Sequence, residues 1–381
     1  MKAVKRLSLA AVMFLCVLLI TGCWDKVEIE DRLFALAIGV DDVKEEERKT
    51  SEDMYTFSFV APVLEEMKKE SKGPAFRTYE AVSCGIIHSQ SQLLERFSQK
   101  QYFGLTRVML FGEGMMRDEK LLKEIIDAIL RYHELHNSMY AYIVPGRAEE
   151  VFEVKPKFEK LIMRYIAGIT ENSSYSSGIL KLSLSDAIIM LINNKGGLVI
   201  PRLIPGEEEI RVSGAGVLKE YRLVGYLDDS EVSSYNRLMD KAKGGSFPVD
   251  IEGTSTVFKH FRFDRSIELS KVEGGKIYLN YNMETEGTIE EYTLNKIMLD
   301  NKFLKKVEHE LGKKIESESE KLIKRFQKEF RTDLIGARDY LNKYQPKLFK
   351  TIEKDYDKYF SDNIVIKVNA DVHIRRIGLI K

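Results

Sequence analysis

Residues 300–330 read DNKFLKKVEHELGKKIESESEKLIKRFQKEF, and this run decides how the carboxyl-terminal part of the chain folds. Its apolar side chains recur at helical spacing and form one stripe, which consists of Phe303, Val307, Leu311, Ile315, Leu322, Phe326 and Phe330. The stripe predicts one long amphipathic helix, interrupted where Ser319 follows Ile315 by four residues. Lys and Glu dominate the opposite face, where i,i+4 pairing on a solvated surface explains them. A coiled-coil partner is the alternative, for which the stripe is short.

The runs on either side of this helix alternate between apolar and polar residues, as half-buried strands do. Upstream, residues 258–270 and 276–286 predict a hairpin, and 211–218 with 221–226 predict another. Downstream, residues 363–374 carry apolar side chains at every second position. They predict a long strand with one buried face, which we expect at the centre of the last sheet.

The remaining elements are predicted from apolar spacing, capping residues and breakers. Strands are expected at 33–41, 54–62, 106–111, 138–144 and 197–204. Helices are expected at 89–99 with Ser89 or Ser91 as the N-cap, and at 119–131, 158–166, 183–193, 335–345 and 347–360. The first two strands should pair antiparallel.

The expected fold class is α+β, with three mixed α/β domains, largely antiparallel sheets and the long helix at about 300–330 in the last domain. We expect an N-terminal α/β domain over 23–150, a small middle unit over 151–210 and a C-terminal α/β domain over 211–381. The middle unit has a second interpretation, as part of a discontinuous domain, because its strand at 197–204 could return to the first sheet.

Residues 1–22 are typical of a cleaved signal peptide. A basic start is followed by an apolar run over residues 7–20, which is short for a membrane span. The run ends in Ile20-Thr21-Gly22-Cys23, which resembles a bacterial lipobox. In that class the Cys23 thiol forms a thioether with a diacylglyceryl group, the chain is cleaved between Gly22 and Cys23, and the new amino group can also be acylated. The alternative is an ordinary secretory signal with an incidental cysteine.

Such a lipid would fix where the mature chain is found. Two acyl chains give stable membrane attachment where one is reversible. We therefore expect a chain that folds in water and is tethered to the outer face of a membrane.

Composition and cysteine count limit the function classes further. Lys plus Arg and Asp plus Glu number 59 each among 381 residues, so the formal net charge is +0. A nucleic-acid-binding chain usually has a basic excess or a basic face, and no nucleic-acid partner is expected. Cys16 lies in the leader and Cys23 is the lipid site, so Cys84 has no cysteine left to pair with. The apolar neighbours of Cys84 predict a buried, inert thiol.

The sequence offers no convergent set of reactive side chains. His133 and His136 are three residues apart, whereas the zinc helix HExxH places its two histidines four apart. No Ser or Cys lies in a nucleophile-elbow context. Gly112-Glu113-Gly114 and Gly214-Ala215-Gly216 lack the rest of a phosphate-binding loop, and turns explain them. No catalytic residue, cofactor or metal site is predicted.

Several stretches together carry a family resemblance. At the anchor, Gly22-Cys23-Trp24-Asp25 precedes Glu28-Ile29 and then Ile38-Gly39-Val40-Asp41. Further stretches follow in order, at 199–202, 214–218, 223–227, 327–330, 333–336 and 365–378. By their order and spacing, the chain resembles the Ger(x)C family of spore germination lipoproteins, the C subunits of GerA-type nutrient germinant receptors.

Two departures from the family pattern lie near the end of the chain. The family often has a Trp between Pro346 and Phe360, where this chain has Phe349 and Tyr356. It also commonly has Phe-Pro where this chain has Phe360-Ser361. Aromatic volume is kept and the Pro position is in a loop, so neither departure threatens the expected core.

The resemblance implies a three-domain α/β lipoprotein on the outer surface of the spore inner membrane. It implies two integral membrane partners, an A-type subunit and a transporter-like B-type subunit. In such receptors the transporter-like subunit is thought to recognise the germinant, so a role in assembly or signal relay is implied for this chain. Cys23 is the one residue to which the family assigns a defined chemical role.

Two alternatives from other classes remain. A solute-binding lipoprotein of an uptake system would show two doubly wound lobes and an aromatic-rich cleft, whereas the sequence suggests antiparallel alternation without a repeated βαβ rhythm. A lipid-anchored hydrolase would need a nucleophile or metal set, which the sequence does not suggest.

Overall fold

A computed structural model describes residues 28–63, 65–67, 75–135, 138–251, 254–292 and 301–377. The strands within these residues are β1 (Arg32–Phe34), β2 (Ala37–Asp42), β3 (Tyr55–Pro62), β4 (Phe76–Ser83), β5 (Lys100–Tyr102), β6 (Val108–Gly112), β7 (Tyr140–Val144), β8 (Leu198–Pro205), β9 (Ile210–Lys219), β10 (Arg222–Leu227), β11 (Gly245–Ile251), β12 (Thr254–Glu273), β13 (Lys276–Tyr292) and β14 (Ile364–Ile377). The predicted signal peptide, the lipobox and His136 lie outside the described residues.

The helices of the same residues are α1 (Ile86–Leu94), α2 (Glu113–Arg117), α3 (Glu119–Arg131), α4 (Glu149–Glu153), α5 (Ile162–Glu171), α6 (Leu184–Asn193), α7 (Asp229–Leu238), α8 (Asn301–Arg325), α9 (Ala337–Tyr344), α10 (Pro346–Ile352) and α11 (Tyr356–Asn363). A π-helical turn, Phe326–Phe330, continues α8 directly.

The first large sheet has eight strands in the order β10-β9-β8-β7-β6-β2-β3-β4. Its centre is parallel, since β8, β7, β6 and β2 run in one direction, and both wings are antiparallel. Helices cover both faces of the centre, and β6 is buried along its whole length. The sequence of β6, VMLFG, is continuously apolar for this reason.

The second sheet has four strands in the order β11-β12-β13-β14. The hairpin of β12 and β13 turns at Gly274 and Gly275, which have φ angles of 59° and 73°. Glycine is favoured there because left-handed backbone strains residues with a Cβ. β14 then joins β13 in parallel after the crossover through α8 to α11.

One hydrophobic cluster connects the two sheets. It contains Val217 of β9 and Leu227 of β10 together with Tyr235 of α7, Phe326 and Phe330. The same cluster includes the buried faces of β12, β13 and β14. The hairpin of β9 and β10 therefore belongs to the first sheet by hydrogen bonding, and its side chains pack against the second sheet and the helices next to it.

The predicted fold class is confirmed: the chain is a mixed α+β protein with a long helix near its carboxyl end. The antiparallel pair of β2 and β3 and both predicted hairpins are present. The long helix and its π-helical turn together span residues 301–330, against about 300–330 predicted. Ser319 occupies the buried stripe as the spacing indicated.

The predicted central position of β14 is wrong, because β14 is the outermost strand of its sheet in the described part of the chain. Alternating burial requires only one covered face, and α8 supplies that cover. The expectation that no repeated βαβ rhythm occurs is also wrong, since β6, α3 and β7 form one such unit and β7, α6 and β8 form a second. The strands of the first unit are short, uniformly apolar runs that show no alternation.

The strand predicted at 197–204 is β8, and it pairs with β7, which is the alternative that places it in the first sheet. The division into domains at residues 150 and 210 stays a prediction. Six of these elements escaped sequence interpretation: β4, β5, β11, α2, α4 and α7. The predicted N-cap of α1 is wrong as well, because the helix begins at Ile86, before both serines.

Candidate functional site at the junction of the two sheets

The side chain and main chain of Tyr226, in β10, connect the two parts of the molecule. Its hydroxyl donates a 2.8 Å hydrogen bond to Glu113 Oε2, at the start of α2. Its carbonyl oxygen accepts a hydrogen bond of 3.4 Å from Arg325 Nη1, at the end of α8. Arg202 of β8 stacks over the ring, 5.0 Å from its centroid. Displacing α8 along its axis would therefore strain contacts that reach the first sheet.

Glu113 is held at this junction as a carboxylate. Arg117 donates to Glu113 Oε1 through Nη2 at 2.6 Å and Nε at 3.0 Å. Burial alone would raise the pKa of Glu113, but the hydrogen bonds from Arg117 and Tyr226 outweigh it and the pKa is lowered. A charged acceptor strengthens the bond from the Tyr226 hydroxyl.

Arg325 joins the end of α8 to the start of α7. Its Nη1 lies 2.6 Å from both carboxylate oxygens of Glu231, and its Nε and Nη2 lie 2.8 and 2.7 Å from those of Glu329. The hydrogen bond from Arg325 to Glu329 is the largest contribution that raises the pKa of this guanidinium. Glu231 is itself fixed, because it forms a capping box with Asp228. Two carboxylates in fork geometry hold the guanidinium in one orientation.

The π-helical turn lies next to these contacts. Gln327 donates its side-chain amide to the carbonyl oxygens of Phe360 at 3.0 Å and Ile364 at 2.7 Å, and so links the turn to the start of β14. A Cβ atom on Gly225 of β10 would lie 2.8 Å from the Phe330 ring, so glycine permits this close approach. Such π-helical turns occur frequently at functional sites. Here the turn contacts β10, α11 and β14 within five residues.

A second polar cluster lies at the carboxyl edge of the parallel strands. Asp41, at the end of β2, is completely buried and accepts hydrogen bonds from the backbone N–H groups of Ala148 at 2.8 Å and Glu149 at 3.3 Å. Burial raises the pKa of Asp41 to about 7, against the opposing effect of those bonds and of Arg147. Gly112 is the last residue of β6. A Cβ atom there would overlap the Asp41 carboxylate, so glycine leaves the space that this carboxylate occupies.

A groove of about 900 Å³ lies between the end of α8 and the first half of β14. Its walls carry both signs of charge, from residues that include Glu320, Lys324, Lys328, Asp362 and Lys367. Ile323 and Val365 contribute apolar surface to the same groove. The groove has the dimensions of a binding site, and its charges are mixed.

The geometry at this junction offers contacts between elements. Among the residues that the structure describes, no three His, Cys, Asp or Glu side chains are grouped so as to hold a metal ion. In the same part of the chain, every helix is too short or too polar to cross a bilayer. The site is built from ion pairs, aromatic rings and hydrogen bonds that connect five elements, which are α2, β8, β10, α7 and α8.

The residues singled out by sequence fall in scattered places. Gly22 and Cys23 lie outside the described residues. Cys84 is exposed, which corrects the buried thiol predicted for it, because the residue follows β4 in the link to α1. Its Sγ lies 3.5 Å from His88 Nδ1. His133 is exposed on the loop after α3.

The Gly pairs are also not in turns. Gly112 and Gly114 lie at the passage from β6 into α2, and Gly214 and Gly216 lie within β9. Gly214 has a φ of 72°, and its N–H donates to Asp229 Oδ1 at 2.6 Å. These glycines allow close packing and, at Gly214, a left-handed backbone conformation inside a strand.

Sequence reasoning missed Tyr226, Glu113 and Arg325 as a group. No local pattern links them, because they lie on elements far apart in the chain. One signal was available, since Asp228 and Glu231 have the spacing of a capping box and predict the start of α7. Recognising that helix would have shown what the end of α8 packs against.

Two family profiles match the chain in consecutive order. The spore germination protein N-terminal domain matches residues 25–205, and the spore germination B3/GerAC-like C-terminal family matches residues 213–378. The two matches together leave only short stretches uncovered. Their division lies at the short link between β8 and β9.

Individual relatives match over four fifths or more of their own length. Spore germination protein B3 of Bacillus subtilis is 25% identical over 94% of this chain and 95% of its own. Spore germination protein KC of the same organism is 23% identical over 99% and 97%. Spore germination protein GerQC of Bacillus cereus is 23% identical over 76% and 80%.

A crystal structure of the GerBC protein shares the fold. It superposes with a TM-score of 0.60 at 19% sequence identity, covering 90% of this chain and 98% of GerBC. At this identity the comparison supports the same arrangement of helices and strands and carries no information about residue roles.

Proposed function

Because the chain belongs to the GerAC-like family of spore germination proteins, we propose that it is the lipid-anchored C subunit of a spore nutrient germinant receptor. The observation that carries the proposal is the match of both family profiles, in order, over residues 25–205 and 213–378. The lipobox at Ile20-Thr21-Gly22-Cys23 lies immediately before the first matched residue. Curated relatives that align over nearly the whole chain are named spore germination proteins.

In this proposal Cys23 carries a diacylglyceryl thioether after cleavage of the Gly22–Cys23 bond. The lipid holds the chain on the outer face of the spore inner membrane. Its partners are two integral membrane subunits, one A-type and one transporter-like B-type. The chain has no enzymatic activity of its own and acts in receptor assembly or signal relay.

The junction around Tyr226 supports a relay role. Tyr226 contacts Glu113 on one side and Arg325 on the other, so a force on the long helix reaches the first sheet through hydrogen bonds. The profile boundary between residues 205 and 213 also supports a division of the chain near residue 210. We retain 23–150, 151–210 and 211–381 as the proposed units.

The anchoring part is tested by Cys23→Ala in spores that carry the cognate receptor subunits. The variant should leave the membrane fraction, because it loses both glyceryl-linked chains. The germination rate with the receptor's nutrients should fall about tenfold or more, since the local concentration at the membrane is lost.

Cys84→Ala is the matched control, because it removes a thiol that the proposed lipid does not use. This variant should stay in the membrane fraction and germinate at the wild-type rate. A full germination rate with unlipidated Cys23→Ala protein would contradict the anchored-subunit proposal.

A further inference from the structure

The short link between Cys23 and the folded chain limits how the protein can lie on a membrane. Five peptide units separate Cys23 from Glu28, the first described residue. Whatever their conformation, they span at most about 18 Å. A globular chain of this length has a radius of gyration of about 20 Å, so the link is shorter than the molecule is wide. The edge that carries Glu28 must therefore lie close to the lipid that holds Cys23.

That edge is the amino-terminal edge of the parallel strands. β1 pairs with β5, and the following backbone continues the contact, since Ala35 N–H donates to the Tyr102 carbonyl at 3.0 Å. Arg107 N–H donates to the Leu36 carbonyl at 3.0 Å, just before β2 and β6 begin. Residues 28–36 and 99–107 therefore lie together at the end where β2 and β6 start.

Large apolar side chains are exposed at this edge. Ile29 is 71% exposed and Leu105 is 51% exposed. Leu130, 51% exposed, lies near the end of α3, and the neighbouring Tyr132 packs against Phe103 with ring centroids 5.8 Å apart. Apolar residues at a membrane-facing edge can enter the interface instead of remaining in water.

Charge in the two segments next to the link is balanced, so these segments do not repel anionic lipid. Residues 28–36 and 99–107 carry three acidic and three basic side chains, which are Glu28, Glu30, Asp31, Arg32, Lys100 and Arg107. Basic side chains on long stems can reach headgroup phosphates while their stems cover apolar surface.

The opposite edge of the sheet lies well away. β2 runs from Ala37 to Asp42, five intervals that span about 17 Å. Cys84 belongs to this far edge, because it follows Ser83, which pairs with Tyr55, which in turn pairs with Asp42. Leu105 and the exposed Cys84 thus lie beyond opposite ends of the strands.

We propose that the protein rests on the bilayer with the amino-terminal edge of its eight-stranded sheet against the lipid headgroups. Ile29 and Leu105 reach the interface, and the edge with Asp41 and Cys84 faces away from the membrane. This orientation rests on the proposed lipidation of Cys23 and adds to it the surface that meets the lipid.

The test uses the full lipidated chain in vesicles of phosphatidylcholine and phosphatidylglycerol at 3:1 with a fraction of spin-labelled lipid as quencher. The wild-type lipidated chain has one free thiol, Cys84, because Cys16 is removed with the signal peptide and the thioether occupies Cys23. A fluorophore is attached to Cys84 in that chain, and to Leu105→Cys in a Cys84→Ser background. Trp24, the one tryptophan of the chain, reports independently on the anchor.

We expect quenching of Trp24, quenching of the label at position 105 by about twofold, and none of the label at Cys84, about 17 Å or more further away. Quenching of Trp24 with equal or greater quenching at Cys84 than at position 105 would overturn the orientation while leaving the anchor intact. An unquenched Trp24 would instead overturn the lipid anchor, and the orientation with it.

Discussion

Asp41 is a single residue whose burial makes the stability of the folded chain depend on pH. The carboxyl group is fully buried between Gly112 and the start of α4, and only two backbone N–H groups donate to it among the described residues. Its pKa rises from 3.8 to about 7 because burial disfavours the charged form. The folded chain therefore binds a proton here more tightly than the unfolded chain does.

This difference predicts a pH-dependent stability. Since the folded pKa lies above the unfolded pKa, the contribution of Asp41 is fully present below about pH 4 and is lost as pH rises through about 7. Asp41→Asn should remove that dependence. Relative to wild type, its free energy of unfolding in urea should rise by about 1 kcal/mol per pH unit between pH 4 and 7.

Asp42→Asn is the control, because it changes the adjacent carboxylate and leaves Asp41 in place. It should keep the wild-type slope of unfolding free energy against pH. Identical slopes in wild type and Asp41→Asn over this range would show that Asp41 ionises normally in the folded chain.

Single residues were the hardest level to predict from sequence. Asp41 was recognised only as the end of a strand, because its burial depends on α4, which lies more than 100 residues later. Cys84 was predicted as buried from its apolar neighbours, but exposure is decided by where β4 ends. Local composition cannot supply either fact.

At the scale of elements, the packing of α8 on β14 organises the second sheet and the helices next to it. Glu316 and Glu308 of α8 accept hydrogen bonds from the backbone N–H groups of Ala370 at 3.0 Å and Ile374 at 2.8 Å. An outermost strand exposes such groups, and carboxylates from a helix are one way to satisfy them. Gly312 lies between these glutamates at the point of closest approach.

Two helical glycines predict opposite effects of the same substitution. A Cβ on Gly312 would lie 2.8 Å from the Ala370 carbonyl oxygen, whereas a Cβ on Gly168 of α5 would have nothing within 4 Å. Alanine favours a helix by about 1 kcal/mol over glycine, and forcing packed elements apart costs about 1–3 kcal/mol. Gly312→Ala should therefore lower the free energy of unfolding, and Gly168→Ala should raise it by up to about 1 kcal/mol.

Urea unfolding of the two variants and wild type under one buffer condition checks this pair. A stabilised Gly312→Ala protein would mean that α8 does not approach β14 as closely as the structure shows. Gly168→Ala is the control for helix propensity. Both substitutions add the same methyl group, so the difference between the two variants measures the effect of packing at Gly312.

Elements were predicted better where periodicity was strong. The apolar stripe located the long helix, and the spacing of α3 gave its bounds of 119–131. β4 and β11 were missed, since their apolar residues are few and do not alternate cleanly. The sequence did not predict the π-helical turn, whose Gln327 side chain donates to Phe360 and Ile364, more than 30 residues later in the chain.

At the scale of the whole molecule, the hairpin of β9 and β10 unites the two sheets. Its strands complete the eight-stranded sheet, and its other contacts include α2, α7 and the end of α8. Sequence alone predicted this hairpin but could not indicate the sharing, because strand order depends on long-range pairing. The candidate junction at Tyr226 depends on this shared hairpin, so the sequence could not predict it for the same reason.

The central claim is that this chain works as one subunit of a membrane receptor. Its most direct test is the isolation of carboxyl-terminally tagged protein from detergent-solubilised membranes of dormant spores, with mass spectrometry of the proteins that accompany it. Untagged spores and a tagged Cys23→Ala strain are the controls. We predict recovery of one transporter-like polytopic subunit and a second integral membrane subunit. Recovery of an ATP-driven permease, or of no specific membrane partner, would contradict the receptor account.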